Sequence, residues 1–202
     1  MAADGLPRWA ISADGGQPVK LEAAVLASPD FVQVCGPQRL VVSAGADRYV
    51  STGKSLHLLA LPAWRAQNLS ADTTRSWYAA TCSAAGDRIA ATVTPNGGDE
   101  KGLIDSATRT IWLLTPDGKP RLLVGTPSSH VSDEAPRLSR DGRLLLYLEH
   151  PARYGTNGRL YLLDLQTGKR RGPLAEINAG AGYYGLHDWP SASPWYQPGQ
   201  RQ

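Results

Sequence analysis

The stretch Leu138-Ser139-Arg140-Asp141-Gly142-Arg143-Leu144-Leu145-Leu146-Tyr147 decides how this chain is read, together with Leu160-Tyr161-Leu162-Leu163-Asp164-Leu165-Gln166-Thr167-Gly168-Lys169 downstream. Asp141-Gly142 is a tight-turn signal between two segments rich in strand formers, Pro136 to Ser139 and Leu144 to Glu149. A polar link from His150 to Gly158, carrying Pro151, Gly155 and Asn157, leads into a third segment, Arg159 to Leu165. Gln166-Thr167-Gly168-Lys169 then turns the chain into a fourth, Arg170 to Leu174.

The same order is written two more times. Leu56-His57-Leu58-Leu59, Ile111-Trp112-Leu113-Leu114 and Leu160-Tyr161-Leu162-Leu163 recur at a spacing of about 50 residues, which marks one supersecondary unit used repeatedly. The middle unit runs Tyr78 to Ser83, the turn Ala84-Ala85-Gly86-Asp87, Arg88 to Thr94, a long polar loop from Pro95 to Thr108, Arg109 to Thr115, the turn Pro116-Asp117-Gly118-Lys119, and Pro120 to Val124. The first unit runs Phe31 to Cys35, Arg39 to Ala44, Ser55 to Leu61 and Arg65 to Leu69, with looser turns. Arg8-Trp9-Ala10-Ile11 with its Asp14-Gly15 turn resembles the third strand of a blade, and Tyr183 to Trp189 the first strand of another. The expectation is an all-β chain with no helix of any length: a β-propeller of four-stranded antiparallel blades. Its units are 8–21 (half a blade), 31–69, 78–124, 135–174 and 183–196 (partial), about four blades, as part of a ring or as a small ring. The alignment puts Cys35, Cys82 and Leu138 in one slot and His57, Trp112 and Tyr161 in another.

Composition agrees and adds little chemistry. The 202 residues carry a net charge of +3 without any run of like charges, the basic residues being mostly single arginines at strand ends. That is no nucleic-acid or membrane-surface footprint. No apolar run approaches the ~18 residues that a membrane-spanning helix needs. Gly (21) and Pro (15) are spread along the chain, which suits short strands joined by tight turns.

The start Leu138-Ser139-Arg140-Asp141-Gly142-Arg143 and the finish Leu160 to Lys169 resemble the WD-type propeller repeat of TolB-like proteins. Its hallmark is a Trp-Ser-Pro-Asp-Gly-like start and an Ile-Trp/Tyr-Leu-Leu strand closed by Asp/Thr-Gly-Lys. The likeness covers Trp9 to Leu174, with Leu138 and Cys82 standing where the usual Trp would be. The resemblance implies a six-bladed ring with an export signal, hence a periplasmic or secreted parent of which this chain is a C-terminal portion. Met1 to Trp9 contains no secretory signal, so a complete chain would be cytoplasmic. A genuine four-bladed ring, closed by pairing the C-terminal strand with the Trp9 strand, is the alternative; closure of some kind removes exposed strand edges.

No catalytic constellation is found, and no cofactor or metal site. Thr52-Gly53-Lys54-Ser55 ends like a phosphate-binding loop but has Arg48 where that loop needs glycine, so it reads as a hairpin turn. Gly97-Gly98-Asp99-Glu100 sits in a long loop of an all-β chain and reads as solvated. Asp99, Glu100 and Asp105 lack the spacing of a calcium loop. His57, His130, His150 and His187 have no second histidine at zinc-ligand spacing. Asn68-Leu69-Ser70 is a formal glycosylation acceptor, read as chance. The slot of Cys35 and Cys82 favours two buried small hydrophobes; a disulfide needs Cα atoms within ~7 Å and gains weight if the parent is exported. Both readings stay open.

Two functions are carried forward. One is a non-enzymatic scaffold that binds a partner, a protein, through the loops that join second and third strands, with Asn96, Asp99, Glu100, Asp105, His150, Arg153 and Tyr154 as the candidate contacts. Both loops should emerge on one face, and loops on a rigid frame are where binding resides. The other is the propeller segment of an enzyme, a prolyl-oligopeptidase-like hydrolase or a ring-shaped lactonase or dehydrogenase. The latter needs acidic and histidine ligands on the inner strands, and Val32–Cys35, Ala79–Ser83 and Pro136–Ser139 offer none.

Overall fold

The computed structural model describes residues 8–10, 17, 19–21, 29–44, 54–60, 65–70, 74–95, 108–126, 131–151 and 157–178. Every regular element among them is a strand. Arg8–Ala10 (β1) pairs antiparallel with Val19–Leu21 (β2). Pro29–Val34 (β3), Arg39–Ala44 (β4), Ser55–Ala60 (β5) and Arg65–Asn68 (β6) form the first four-stranded sheet, in chain order. Arg75–Cys82 (β7), Ile89–Pro95 (β8), Thr110–Leu114 (β9) and Arg121–Val124 (β10) form the second. Val131–Leu138 (β11), Leu144–Pro151 (β12), Asn157–Asp164 (β13) and Arg170–Asn178 (β14) form the third. Each is an up-and-down antiparallel meander, a propeller blade. β7 packs against β3 on one side and β11 on the other, so the first strands make the inner row.

Register shows how the units correspond. Val34 faces Leu40, Cys82 faces Ile89 and Leu138 faces Leu145 across the first strand pair. His57, Trp112 and Tyr161 sit opposite Val42, Ala91 and Tyr147, two positions further along in every unit, so the aromatic slot is one slot. The cysteine slot is not. Val34, rather than Cys35, is the counterpart of Cys82 and Leu138; Cys35 corresponds to Ser83 and Ser139. The cause is a turn one residue shorter in the first blade: the Cys35 amide donates to the Arg39 carbonyl, whereas Ser83 and Ser139 reach one residue further, to Arg88 and Leu144.

That single step matters, because neighbouring strand residues point to opposite faces of a sheet. Cys35 faces forward with Val41, Leu56 and Leu58, into the layer it shares with Trp77, Ala80, Ile89, Ala91 and Leu114 of the second blade, and Cys82 lies against the same layer from the other side. The two Cα atoms are 5.5 Å apart and the Sγ atoms are bonded as a disulfide. The second layer packs Ala90 and Ile111 against Leu138, Leu145, Tyr147 and Tyr161.

Two features repeat between blades. Arg39 donates from Nη1 to the Gly86 carbonyl at 3.2 Å, and Arg88 donates in the same way to the Gly142 carbonyl at 3.0 Å. Each arginine opens the second strand of one blade and grips the first turn of the next. Gly86 and Gly142 both have φ +68°, and a Cβ on Gly86 would lie 2.8 Å from the Cys35 carbonyl oxygen. These turns therefore need glycine for conformation and for the neighbour's approach.

The second repeated feature is a bulge in each first strand, where the register shifts between Pro29 and Phe31, Tyr78 and Ala80, and Glu134 and Arg137. Ala79 and Ala135 sit in the latter two with φ 46° and 52°, a left-handed conformation unusual for alanine. The bulge breaks the alternating pattern, which is why the strands extend upstream of where their sequence pattern starts, to Arg75 and Val131 rather than 78 and 135.

Candidate functional site

β12 runs up to Pro151 and β13 resumes at Asn157; β8 runs up to Pro95 and β9 resumes at Thr110. Both candidate loops thus spring from the same end of adjacent blades. Thr94 Oγ1 donates to the Thr108 carbonyl at 3.1 Å and closes the base of the first loop. Asn96, Asp99, Glu100, Asp105, Arg153 and Tyr154 lie outside the described residues, as do His130 and His187. His150 is described, and it does not stand alone.

At the loop bases a charged network lies inside the joint between blades two and three. Arg109, 4% exposed, ion-pairs with Glu134, whose other carboxylate oxygen is 2.9 Å from His150 Nε2. Backbone bonds lock this geometry: the Arg109 amide donates to Ser132 Oγ at 3.1 Å, and the Asp133 amide donates to the Arg109 carbonyl at 3.0 Å. Burial alone would raise the Glu134 carboxyl, but the Arg109 guanidinium and His150 overrule it and hold it down to about 2.

Asp133 behaves in the opposite way. It is 4% exposed, and its Oδ1 accepts no hydrogen bond among the described residues. Burial, with the Glu149 charge adding to it, pushes its carboxyl up to about 7 against the pull of Arg170 and His150. Arg170 ion-pairs with Glu149 and lies 3.6 Å from the centroid of the Tyr161 ring, which stacks on Tyr147 at 5.8 Å. Burial likewise pushes the Tyr147 phenol upward.

The joint between blades one and two has the same backbone clip with different side chains. The Lys54 amide reaches Ser76 Oγ at 3.4 Å and the Trp77 amide donates to the Lys54 carbonyl at 3.1 Å. Trp77 thus stands where Asp133 stands, and Thr94 where His150 stands. Both joints bury a cation, Lys54 in one and Arg109 in the other, and the acidic residues and His150 belong to the second alone among the described residues. Lys54, buried in this clip, is part of a strand joint and not of a phosphate loop.

The remaining candidates resolve into scaffold. His57 is hydrogen-bonded to Ser55 Oγ at 2.7 Å, as Trp112 Nε1 donates to Thr110 Oγ1 at 3.0 Å, and burial pushes the His57 imidazole below its ordinary value. Asn68 Oδ1 accepts from the Ser70 amide at 2.9 Å and shapes the local turn. Among the described residues no three His, Cys, Asp or Glu side chains are grouped to hold a metal ion.

Sequence reasoning missed Arg109, Asp133, Glu134, Glu149 and Arg170, and its statement that the inner strands offer no acidic residue is corrected here. β11 begins four residues upstream of Ala135 and carries Asp133 and Glu134. The signal was available: an acidic doublet stands where the sister repeat has Trp77-Tyr78.

No family model and no curated protein sequence matches the chain. Solved structures do. A TolB structure from Agrobacterium tumefaciens superposes with a TM-score of 0.60 at 14% identity, covering 85% of this chain and 57% of that one. An oligogalacturonate lyase from Vibrio parahaemolyticus gives 0.50 at 10% identity, covering 81% and 44%. The tricorn protease gives 0.50 at 12% identity, covering 76% and 13%. At these identities the likeness is one of fold. The chain is an all-β, TolB-like β-propeller that spans a little over half of the TolB chain, and its fold is shared with a lyase and a protease.

Proposed function

We propose that the chain is a non-enzymatic propeller scaffold that binds a protein partner through the 96–107 and 152–156 loops. The observation that carries this reading is the Arg109–Glu134–His150 network, which ties the bases of both loops to one inner strand. A buried charge network of this kind costs desolvation and returns positional definition, which suits a rigid platform for two variable loops. The Cys35–Cys82 pairing supports an oxidising compartment, and so a periplasmic or secreted parent. The test is deletion of Asn96 to Asp105 in the immobilised protein. The deleted form should keep its thermal transition and lose the partner that wild type captures and cross-links from an envelope extract; undiminished capture refutes the reading.

A second reading, the propeller segment of an enzyme, is favoured by Asp133 and Glu134 on the inner strand and by the fold shared with a lyase and a protease. Turnover of oligogalacturonate or of peptide substrates, abolished by Asp133→Asn or Glu134→Gln in a folded variant, would replace the binding reading.

A further inference from the structure

The joint between blades two and three holds two oxygens that find no hydrogen-bond partner among the described residues, Thr92 Oγ1 and Asp133 Oδ1. Thr92 is 1% exposed and Asp133 4% exposed, so bulk water does not replace the missing bonds. A buried polar group left unpaired costs more than one hydrogen bond contributes, and such a group marks the place of a bound water or ion.

The repeat brings the two oxygens to one place. Ala91 lies opposite Trp112 as Val42 lies opposite His57, so Thr92 is the counterpart of Ser43. The amides of Trp77 and Asp133 donate to the carbonyls of Lys54 and Arg109, so Asp133 is the counterpart of Trp77. In the first joint the two counterparts touch: Ser43 Oγ donates to the Trp77 carbonyl at 2.6 Å. In the second joint β8 packs against β11. Ala90, on the same face of β8 as Thr92, lies in one layer with Leu138 and Tyr147. There the Thr92 hydroxyl is left unpaired, and a carboxyl stands in the position of the indole ring.

Charge decides the kind of guest. Around Asp133 stand Glu134 on its own strand, Tyr147, Glu149 and His150 of β12, Tyr161 of β13, Arg170 of β14, and Arg109 just before β9. Arg109 is paired with Glu134 and Arg170 with Glu149, while His150 also faces Glu134. Above the ordinary histidine range, Asp133 thus carries the negative charge that no ion pair offsets among the described residues. One carboxylate and one hydroxyl are hard oxygen donors, the kind that hard cations select. A divalent ion calls for more charge, and no three His, Cys, Asp or Glu side chains are grouped here among the described residues.

We propose that Asp133 and Thr92 hold a monovalent metal cation, such as sodium, inside the joint beneath the two loops. The cation and a proton compete for the same carboxylate. Without the cation the joint keeps its full stability only while Asp133 is protonated; with it, the ionised carboxylate is matched and the joint stays closed above neutral pH.

Urea unfolding of the full chain at pH 8 tests this, with sodium chloride exchanged for tetramethylammonium chloride at constant ionic strength. Raising sodium from about 10 mM to about 500 mM should raise the wild-type folding constant by about tenfold or more. At pH 5 the proton occupies the site and the gain should fall below about twofold. Asp133→Asn should show no sodium-specific gain at either pH, and Thr92→Val should need about tenfold more sodium for the same gain. A sodium gain as large in Asp133→Asn as in wild type is a general salt effect and overturns the proposal. No gain in wild type leaves water or a proton as the guest and overturns it too, as does a gain from calcium chloride with none from sodium. An unchanged sodium titration in Thr92→Val removes the hydroxyl from the site and refutes the paired geometry.

Discussion

Replacing Asp133 by asparagine should make the protein more stable at pH 8 and leave it unchanged below pH 4. The side chain lies in the joint between blades two and three with one oxygen lacking a hydrogen bond among the described residues, and burial lifts its carboxyl from 3.8 to about 7. A raised pKa means that the folded state holds the proton more tightly than the unfolded chain. The stability due to this site is therefore fully present below pH 3.8 and is lost as pH rises through 7. Each pH unit in that window is worth about 1.4 kcal/mol, so the loss over the roughly three-unit shift is about 4 kcal/mol. Asparagine keeps the shape and cannot ionise. Urea unfolding of both proteins, followed by tryptophan fluorescence at half-unit steps from pH 4 to 8, gives the difference directly, because the titrations of groups not coupled to Asp133 cancel. The difference should start near zero, grow along the slope and level off above pH 7 with the variant ahead by about 4 kcal/mol. A flat difference across the range would refute the assignment of an uncompensated buried carboxyl.

Other expectations concern neighbouring groups. Glu134→Gln removes one partner from a buried Arg–Glu–His network and should cost about 3–5 kcal/mol at pH 7. Its carboxyl is held at about 2, so wild type should lose this advantage as pH falls from 4.5 toward 2, opposite in sign to Asp133; a gap that fails to close in acid contradicts the pairing. The Cys35–Cys82 bridge closes a separation of 47 residues, so reduction or a Cys35→Ser/Cys82→Ser chain should lose about 4 kcal/mol in urea melts by loop-closure entropy. Gly86→Ala and Gly168→Ala test the blade joint: both have positive φ, but only Gly86 faces a neighbour's carbonyl while Gly168 meets nothing within 4 Å. The second should cost about 1 kcal/mol and the first about 3; equal losses would deny the close approach.

Much of the fold was legible because its signals are local. Asp141-Gly142, Thr167-Gly168 and the short apolar run Leu160 to Leu163 between them depend on turn chemistry and strand-forming residues, both written within a few residues. The site was less legible for two physical reasons. The bulge at Ala135 hides the upstream half of β11, so Asp133 and Glu134 fall outside the segment that the pattern marks as strand. The shorter first turn shifts Cys35 by one position, and a one-residue error in a strand exchanges front for back. Arg39 and Arg88, read as single charges at strand ends, are contacts to the next blade, a relation between residues too distant in the chain for a local pattern to carry.

Those arginine contacts give the stack a direction. Arg39 serves the turn of blade two and Arg88 that of blade three, and neither reaches backwards. A unit with its arginine changed remains a full acceptor for its predecessor while losing its hold on its successor, so damage should propagate one way along the chain. Blade three has Leu144 where its predecessors have arginine. It receives the arginine grip and carries no arginine at that position to pass it on.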